Sequence, residues 1–239
     1  RFVAVGGARV PPSLLQAAHA LGIPAFEGYG LSECASVVSL NLPGASRPGS
    51  CGRPLPHVRV AIEDGEIRVA GNAMIGYAGE PDSWGRSEIA TGDLGYLDAD
   101  GFLFIDGRKK NLLISSYGRN IAPEWVESEA LAADAHVDGA LVDGARVDGA
   151  LAECLVFGDA RPYCVALLYP RDPAAGDDAI QRSIDRCNAR LPDYARIRRW
   201  HRLAQPLAAG KDLLTENGRP RRQAILARYQ GVIDALYAA

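Results

Sequence analysis

Thr91 to Leu113, TGDLGYLDADGFLFIDGRKKNLL, holds the densest chemistry in this chain. Thr91-Gly92-Asp93 offers a carboxylate on a tight turn. Asp98-Ala99-Asp100-Gly101 then predicts the tip of a β-hairpin, and the cations Arg108, Lys109 and Lys110 follow. A carboxylate can accept two hydroxyl donors at once, and cations suit phosphate. An acid and cations joined by a short hairpin are therefore a way to hold a sugar diol and a phosphate in one site. A second cluster, Gly28-Tyr29-Gly30-Leu31-Ser32-Glu33, sets an aromatic ring between two glycines and a hydroxyl beside a carboxylate. That hard oxygen pair suits a magnesium–phosphate complex. Together the clusters point to nucleotide chemistry.

Each residue also has an ordinary explanation. Tyr29 could be a half-buried loop tyrosine. Glu33 could be an acid complementing the dipole at a helix start. Asp93 could be a common turn aspartate, and Arg108 a surface arginine. Only their combination favours a site.

The surrounding pattern supplies the elements that must position them. Phe2 to Val5 reads as a short strand ending at Gly6-Gly7. Pro12 opens a helix through Leu14, Leu15, Ala18 and Leu21, with Gly22 as its stop. Ile23 to Phe26 reads as a second strand. Strand, helix, strand at this spacing is a βαβ unit with a parallel pair, whose ligands belong beyond the strands' carboxyl ends. Both Gly6-Gly7-Ala8 and Gly28 to Glu33 follow such ends.

From Arg47 to Asp106 the runs HVRVAI, GEIRVAG and GFLFID alternate between turn residues and predict a small antiparallel β unit. Beyond Lys110 the pattern gives a strand at Leu112 to Ser115 and a helix opened by Pro123. A β pair, Leu155 to Phe157 and Tyr163 to Tyr169, surrounds a turn at Gly158 to Arg161. Ile180, Ile184, Cys187 and Leu191 predict one helical face. Ile225, Leu226, Tyr229, Val232, Ile233 and Leu236 predict another. The expected architecture is thus α/β and α+β. A first domain, 1–107, comprises a βαβ piece (1–46) and a β subdomain (47–107). A boundary at 108–110 leads to a compact α+β domain, 111–239. A threefold VDGA repeat from Val137 to Leu151 fits no calcium-loop spacing and reads as a surface insertion at about 137–151.

Composition narrows the function classes. Hydrophobic residues make up 48% of the chain, enough for a sizeable core. Charges are mixed, with a formal net charge of −3, and no basic stripe exists to neutralise nucleic-acid phosphates. Five cysteines without a CxxC pair imply a reduced, cytoplasmic compartment. No apolar run is long enough to span a bilayer, and peripheral membrane contact stays open. The chain begins at Arg1 directly on a strand-like run, which suggests a piece of a longer protein.

These motifs occur in an order that resembles the carboxyl-terminal portion of AMP-forming acyl-CoA synthetases, in the adenylate-forming superfamily. GYGLSE resembles the family's YGxTE motif. GEIRVAGNAMIGYAG resembles its GExxxxGxxxxxGY segment. TGDLGYLDADG with FIDGRKK resembles its TGD and GR motifs, and SSYGRNIAPEWVE its GxxIxPxEIE segment. GRKKNLLISSYGRNIAP and FGDARPYCVALLYP look closest to long-chain fatty acyl-CoA synthetases. The resemblance implies ATP-dependent activation of a carboxylic acid, a fatty acid foremost, to an acyl-adenylate, followed by transfer to coenzyme A.

The same resemblance assigns residues. Gly7 and Ala8 would lie along the purine, Tyr29 would stack on adenine, and Gly30 would let the base approach. Ser32 and Glu33 would face a Mg2+–phosphate complex, with Glu33 catalytic. Asp93 would accept both ribose hydroxyls, and Arg108 would contact ribose and phosphate. Lys110 falls at the hinge about which such enzymes rotate the small domain, and Gly118 in the loop that lines the coenzyme A tunnel. The family's catalytic lysine is replaced by Arg219. The family's phosphate loop is absent from this stretch, since the family places it upstream. The implied partners are therefore ATP, coenzyme A, a small carboxylic acid and the amino-terminal part of the same enzyme. Delivery to a carrier protein, or an inactive nucleotide-binding module, remain the alternatives.

Overall fold

The computed structural model describes residues 1–10, 12–133, 150–210 and 212–238. The chain divides into two compact units, Arg1–Asn111 and Leu112–Ala239. The division falls just past the expected crossing at 108–110.

The first unit opens with β1 (Val3–Val5), α1 (Pro12–Ala20) and β2 (Ala25–Tyr29). β1 and β2 pair in parallel, with Val5 opposite Glu27, as the βαβ pattern predicts. The loops that follow therefore leave the same edge of the sheet side by side. The second strand begins two residues later than expected and runs to Tyr29, because Pro24 carries no backbone N–H for the ladder. β3 (Ser39–Leu40) and β4 (Arg53–Pro54) extend this sheet antiparallel.

A four-stranded antiparallel meander follows: β5 (Arg59–Glu63), β6 (Glu66–Ala70), β7 (Glu88–Leu97) and β8 (Leu103–Arg108). Its turns fall at Asp64-Gly65 and at Asp98 to Gly101, as the turn residues predict. Asp98 shapes the second by accepting the Asp100 and Phe102 N–H groups at 3.0 and 2.9 Å. Cys34, Val38, Val58, Ile67, Val69, Ile89 and Leu103 form a core beneath the meander.

Two irregularities in this sheet position the site. Between the pairs Glu66↔Leu94 and Arg68↔Ala90, Ile67 of β6 faces three residues of β7: Thr91, Gly92 and Asp93. The TGD motif is thus a bulge. Between Leu94 and Gly95 the β7–β8 register also slips by one residue. That slip sets Arg108, rather than Gly107, opposite Asp93, and a one-residue slip turns side chains to the other face. Glycine is required there. A Cβ at Gly95 would lie 2.2 Å from the Phe104 carbonyl oxygen and 2.9 Å from Ile67 Cδ1.

The second unit begins with a small antiparallel hairpin, β9 (Leu113–Ile114) and β10 (Asn120–Ile121), followed by α2 (Pro123–Ala132). Pro at the first helical turn costs no hydrogen bond there. β11 (Leu151–Phe157) and β12 (Cys164–Pro170) pair antiparallel, α3 spans Asp177–Arg190, and β13 (Ile197–Arg202) pairs parallel with β12. α4 (Arg222–Ala238) closes the chain.

Side chains alternate between the faces of β11 and β12. Cys154, Val156, Ala166 and Leu168 pack with Val126 and Ala130 of α2 and with Ile180, Ile184 and Cys187 of α3. Leu155, Phe157, Val165 and Leu167 pack with Ile225 and Ile233 of α4. The sheet is therefore covered on both faces, which explains the nearly unbroken apolar run CVALLY. Two expectations change here. Leu226 is 37% exposed and leaves the buried stripe of α4. Leu151, counted with the VDGA insertion, is a core residue that opens β11 at 1% exposure. The repeat from 137 to 149 lies outside the described residues.

All five cysteines are free and buried. Burial pushes the thiols of Cys34 and Cys164 up to about 11 and those of Cys51 and Cys187 up to about 12. At neutral pH they are packing groups, because the thiolate is the reactive form. Iodoacetamide should label the native chain slowly at pH 8 and rapidly in denaturant; rapid native labelling would contradict the burial. Gly95→Ala should cost about 1–3 kcal/mol of stability, the usual scale of an overpacked site, read from the urea midpoint.

Candidate functional site

Tyr29, Asp93 and Arg108 converge. Tyr29 ends β2, and its hydroxyl donates to Asp93 Oδ2 at 2.6 Å. Arg108 Nε pairs with Asp93 Oδ1 at 2.8 Å. Arg108 Nη1 also donates to the Thr91 carbonyl at 3.2 Å. Asp93 is only 4% exposed, so its charge depends on these partners. Burial, then the adjacent Asp93 charge, pushes the Tyr29 phenol well up. It stays protonated and acts as a donor. Both carboxylate oxygens of Asp93 act as acceptors, one toward Tyr29 and the other toward Arg108.

The bulge accounts for its own backbone. The Thr91 hydroxyl donates to the Ile67 carbonyl at 2.8 Å and accepts the Asp93 N–H at 3.1 Å. The Gly92 N–H donates to Glu66 Oε1 at 2.9 Å. Thr91 and Glu66 thus replace ladder bonds that the extra residues forgo. A hydroxyl at position 91 suits this role because it both donates and accepts.

The Gly28 to Glu33 segment is built differently from its expected design. Gly28 and Gly30 do not hold space for a base on the side where a Cβ would stand. A Cβ at Gly28 would lie 2.8 Å from Leu40 Cδ1, and one at Gly30 would lie 1.8 Å from the Ser36 carbonyl oxygen. The protein's own chain fills that space. Ser32 to Cys34 form a single 3-10 turn rather than a helix start. Ala35 and Ser36 then take left-handed backbone angles, φ 51° and 72°, each costing about 1–2 kcal/mol. Leu31 collects the returning chain, its carbonyl accepting the N–H groups of Cys34 and Ser36, both at 3.0 Å.

What offsets this strain is the loop after β6. Asn72 Nδ2 donates to the Cys34 carbonyl at 2.6 Å, and the Met74 N–H donates to the Glu33 carbonyl at 2.7 Å. The Tyr77 hydroxyl donates to Glu33 Oε1 at 2.7 Å. The Tyr77 hydrogen bond comes first among the causes that hold the Glu33 carboxyl below its ordinary value, and the Arg108 charge adds to them. Glu33 is therefore ionised at neutral pH, beside the exposed hydroxyl-bearing Ser32. Among the described residues no group of three or more His, Cys, Asp or Glu could hold a metal ion by itself. One carboxylate with a hydroxyl neighbour fits magnesium held jointly with substrate phosphates, its usual mode.

Gly6, Gly7 and Ala8 follow β1 and lie next to the Gly28–Gly30 stretch by the parallel register. Glu27 Oε1 accepts the Val10 N–H at 3.1 Å and ties that loop to β2. Lys110 is exposed in a short 3-10 turn, Lys109–Asn111.

In the second unit, Gly118 has φ 72° and donates its N–H to the Ser115 carbonyl at 2.8 Å, in the β9–β10 turn. Arg219 is exposed in a closed turn, its N–H on Thr215 Oγ1 at 3.0 Å and its carbonyl accepting the Thr215 N–H at 2.8 Å. That turn adjoins Arg222. The Arg222 guanidinium donates to Glu127 of α2 and, at 3.1 Å, to the Val156 carbonyl of β11. Glu66, Asn72, Thr91, Tyr77 and Glu127 carry support that motif spacing alone does not assign. Glu66 and Tyr77 did fall inside a recognisable segment, GEIRVAGNAMIGY.

Comparison with known proteins identifies the family. The family model described as AMP-binding enzyme matches residues 1–79, and that described as AMP-binding enzyme C-terminal domain matches residues 110–239. These two matches place the chain in the AMP-binding enzyme family. A long-chain-fatty-acid–CoA ligase of Mycobacterium tuberculosis, FadD15, is 31% identical over 82% of this chain and 31% of its own length. A 2-succinylbenzoate–CoA ligase of Bacillus subtilis is 37% identical over 59% of the chain and 33% of its own. The structure of the B. subtilis o-succinylbenzoate CoA synthetase with its acyl-adenylate intermediate matches with a TM-score of 0.73. It is 29% identical, covering 94% of this chain and 46% of that one. An anthranilate CoA ligase, 22% identical, shares the fold with a TM-score of 0.74 over 98% of this chain and 44% of its own. The chain spans 31% to 44% of the length of curated relatives such as these.

Because its folded value is depressed, Glu33 contributes stability above the ordinary carboxylate range, and that contribution is lost as pH falls through the depressed value. Tyr77→Phe should move the Glu33 midpoint upward, toward the ordinary value, in an NMR titration of the side-chain carboxyl carbon. An unmoved midpoint would assign the depression to another group.

Proposed function

We propose that this chain forms part of an enzyme that activates a carboxylic acid with ATP and transfers the acyl group to coenzyme A. The carrying observation is the Tyr29–Asp93–Arg108 cluster beyond the end of β2. Asp93 would receive the ribose hydroxyls and Arg108 the ribose and phosphate. Tyr29 would offer its ring face to adenine while its hydroxyl stays on Asp93. Gly7, Ala8 and Gly30 would border the base. Ser32 and Glu33 would face the magnesium–phosphate complex. Magnesium, when bound, would neutralise phosphate charge. The protein's share is positioning and fixed charge rather than a covalent nucleophile.

A fatty acid is the favoured substrate, supported by the FadD15 likeness over 82% of the chain. The 2-succinylbenzoate ligases keep aromatic acids as the competing class. Lys110 would act as the hinge, since a hinge residue need only absorb a torsion change. The turn at Gly118 would border the coenzyme A tunnel. The five free thiols fit a cytoplasmic setting, and among the described residues no helix is long and apolar enough to cross a membrane.

Arg219 supports one second reading, an inactive nucleotide-binding module. Arginine keeps the charge but is planar and forked. If the family's lysine makes a fitted point contact, its loss costs on the order of 10²–10³ in rate. In an enzyme that includes the upstream portion, Arg219→Lys separates the two. A large gain from a near-zero baseline favours the inactive module, and no change from a robust baseline shows a working arginine.

The chain itself should bind AMP weakly in calorimetry, and Asp93→Asn should weaken that binding by about 10- to 100-fold, the scale of hydrogen bonds to a charged group. With ATP and a fatty acid it should show no steady turnover heat. AMP affinity unaffected by Asp93→Asn would remove the basis of this assignment.

A further inference from the structure

Glu66 joins two places that the sequence keeps apart. Its Oε1 accepts the Gly92 N–H at 2.9 Å, in the middle of the TGD bulge. Its Oε2 pairs with Lys109 Nζ at 3.0 Å. The carboxylate is largely enclosed, its side chain 11% exposed, while that of Lys109 is 58% exposed. Lys109 directly follows Arg108, whose guanidinium grips Asp93 and the Thr91 carbonyl. Two consecutive residues leaving β8 are therefore fastened to the same bulge, one directly and one through Glu66. Lys110, the next residue, is exposed.

We propose that Glu66 is a positioning residue that couples the Thr91–Asp93 turn to the segment leading into the second unit. The inference deepens the nucleotide reading of that turn and rests on it for its functional meaning. A carboxylate suits the task where an amide would not. It can serve an N–H donor and an ammonium at once, one on each oxygen, and both bonds draw on its charge. Movement of the departing segment that pulls Lys109 away would release the Glu66 side chain. The Gly92 N–H would then lose the acceptor that stands in for its ladder bond. Conversely, a ligand that steadies Asp93 and its turn would favour the docked position of Lys109.

Two readouts on the whole chain test the coupling from opposite ends, and neither uses a nucleotide. Lys109→Gln changes an exposed side chain and leaves Glu66 and Gly92 chemically intact. It should accelerate amide hydrogen exchange at Gly92 by roughly two- to fivefold, the scale of a partly exposed ion pair. Glu66→Gln keeps an acceptor for Gly92 but removes the ion pair. It should speed tryptic cleavage after Arg108, Lys109 and Lys110 by a similar factor, with cleavage after Arg182 as the internal reference. High salt should produce the same acceleration in the wild-type chain and little in Glu66→Gln. Wild-type exchange at Gly92 in Lys109→Gln, or wild-type cleavage in Glu66→Gln, overturns the proposal. Absent AMP binding with both accelerations intact would instead count against the nucleotide assignment alone.

Discussion

The first unit depends on one departure from β regularity, the three residues Thr91 to Asp93 that face Ile67 alone. A regular strand would pair Asp93 with β6 as well as with β8. The bulge instead turns a 4% exposed carboxylate toward Tyr29 and Arg108. Tyr29 and Arg108 converge on Asp93, the Gly92 N–H and Lys109 converge on Glu66, and the Thr91 hydroxyl repairs the ladder from within. A buried charge is costly unless paired. The arrangement is stable because the register slip at Gly95 delivers Arg108 to the opposite position in the neighbouring strand. The same two irregularities create the site and satisfy it.

Much of this was legible because it is local. Asp98 to Gly101 announces a hairpin, and a hairpin of that length brings Asp93 and Arg108 near each other. Pro12 and Pro123 mark helix starts, and the alternating and 3.6-residue patterns place the strands and the buried faces of α3 and α4. The parallel pairing of β1 and β2 follows from strand, helix, strand. What the pattern leaves open is which of two faces a residue takes after a bulge, since periodicity carries no record of an extra residue until the ladder forms. The two glycines flanking Tyr29 show a second limit. Their presence was legible, but their reason was not. They make room for Leu40 and for the Ser36 carbonyl, contacts fixed only by the tertiary path.

Support from a distance was harder still to read. Tyr77 and Glu33 are joined by a hydrogen bond between residues far apart in sequence, and so are Asn72 and Cys34. Nothing in the local spacing of either segment implies the other. Yet the αL angles at Ala35 and Ser36 require some such support, because strained backbone persists only where surrounding bonds over-determine it. The loop after β6 supplies three of those bonds. It therefore belongs to the site as much as the motif it holds, although its own side chains of Ile75, Tyr77 and Trp84 remain exposed.

The second unit solves a related problem with a buried ion pair. Glu127 and Arg222 are 13% and 16% exposed at their side chains. Together they tie α2, the Val156 backbone of β11 and the start of α4. The closed turn from Thr215 to Arg219 ends three residues before that anchor. Backbone bonds and the Thr215 hydroxyl hold it closed. Position 219 thus sits on a turn that its own backbone closes, a short step along the chain from the ion pair that fixes the start of α4.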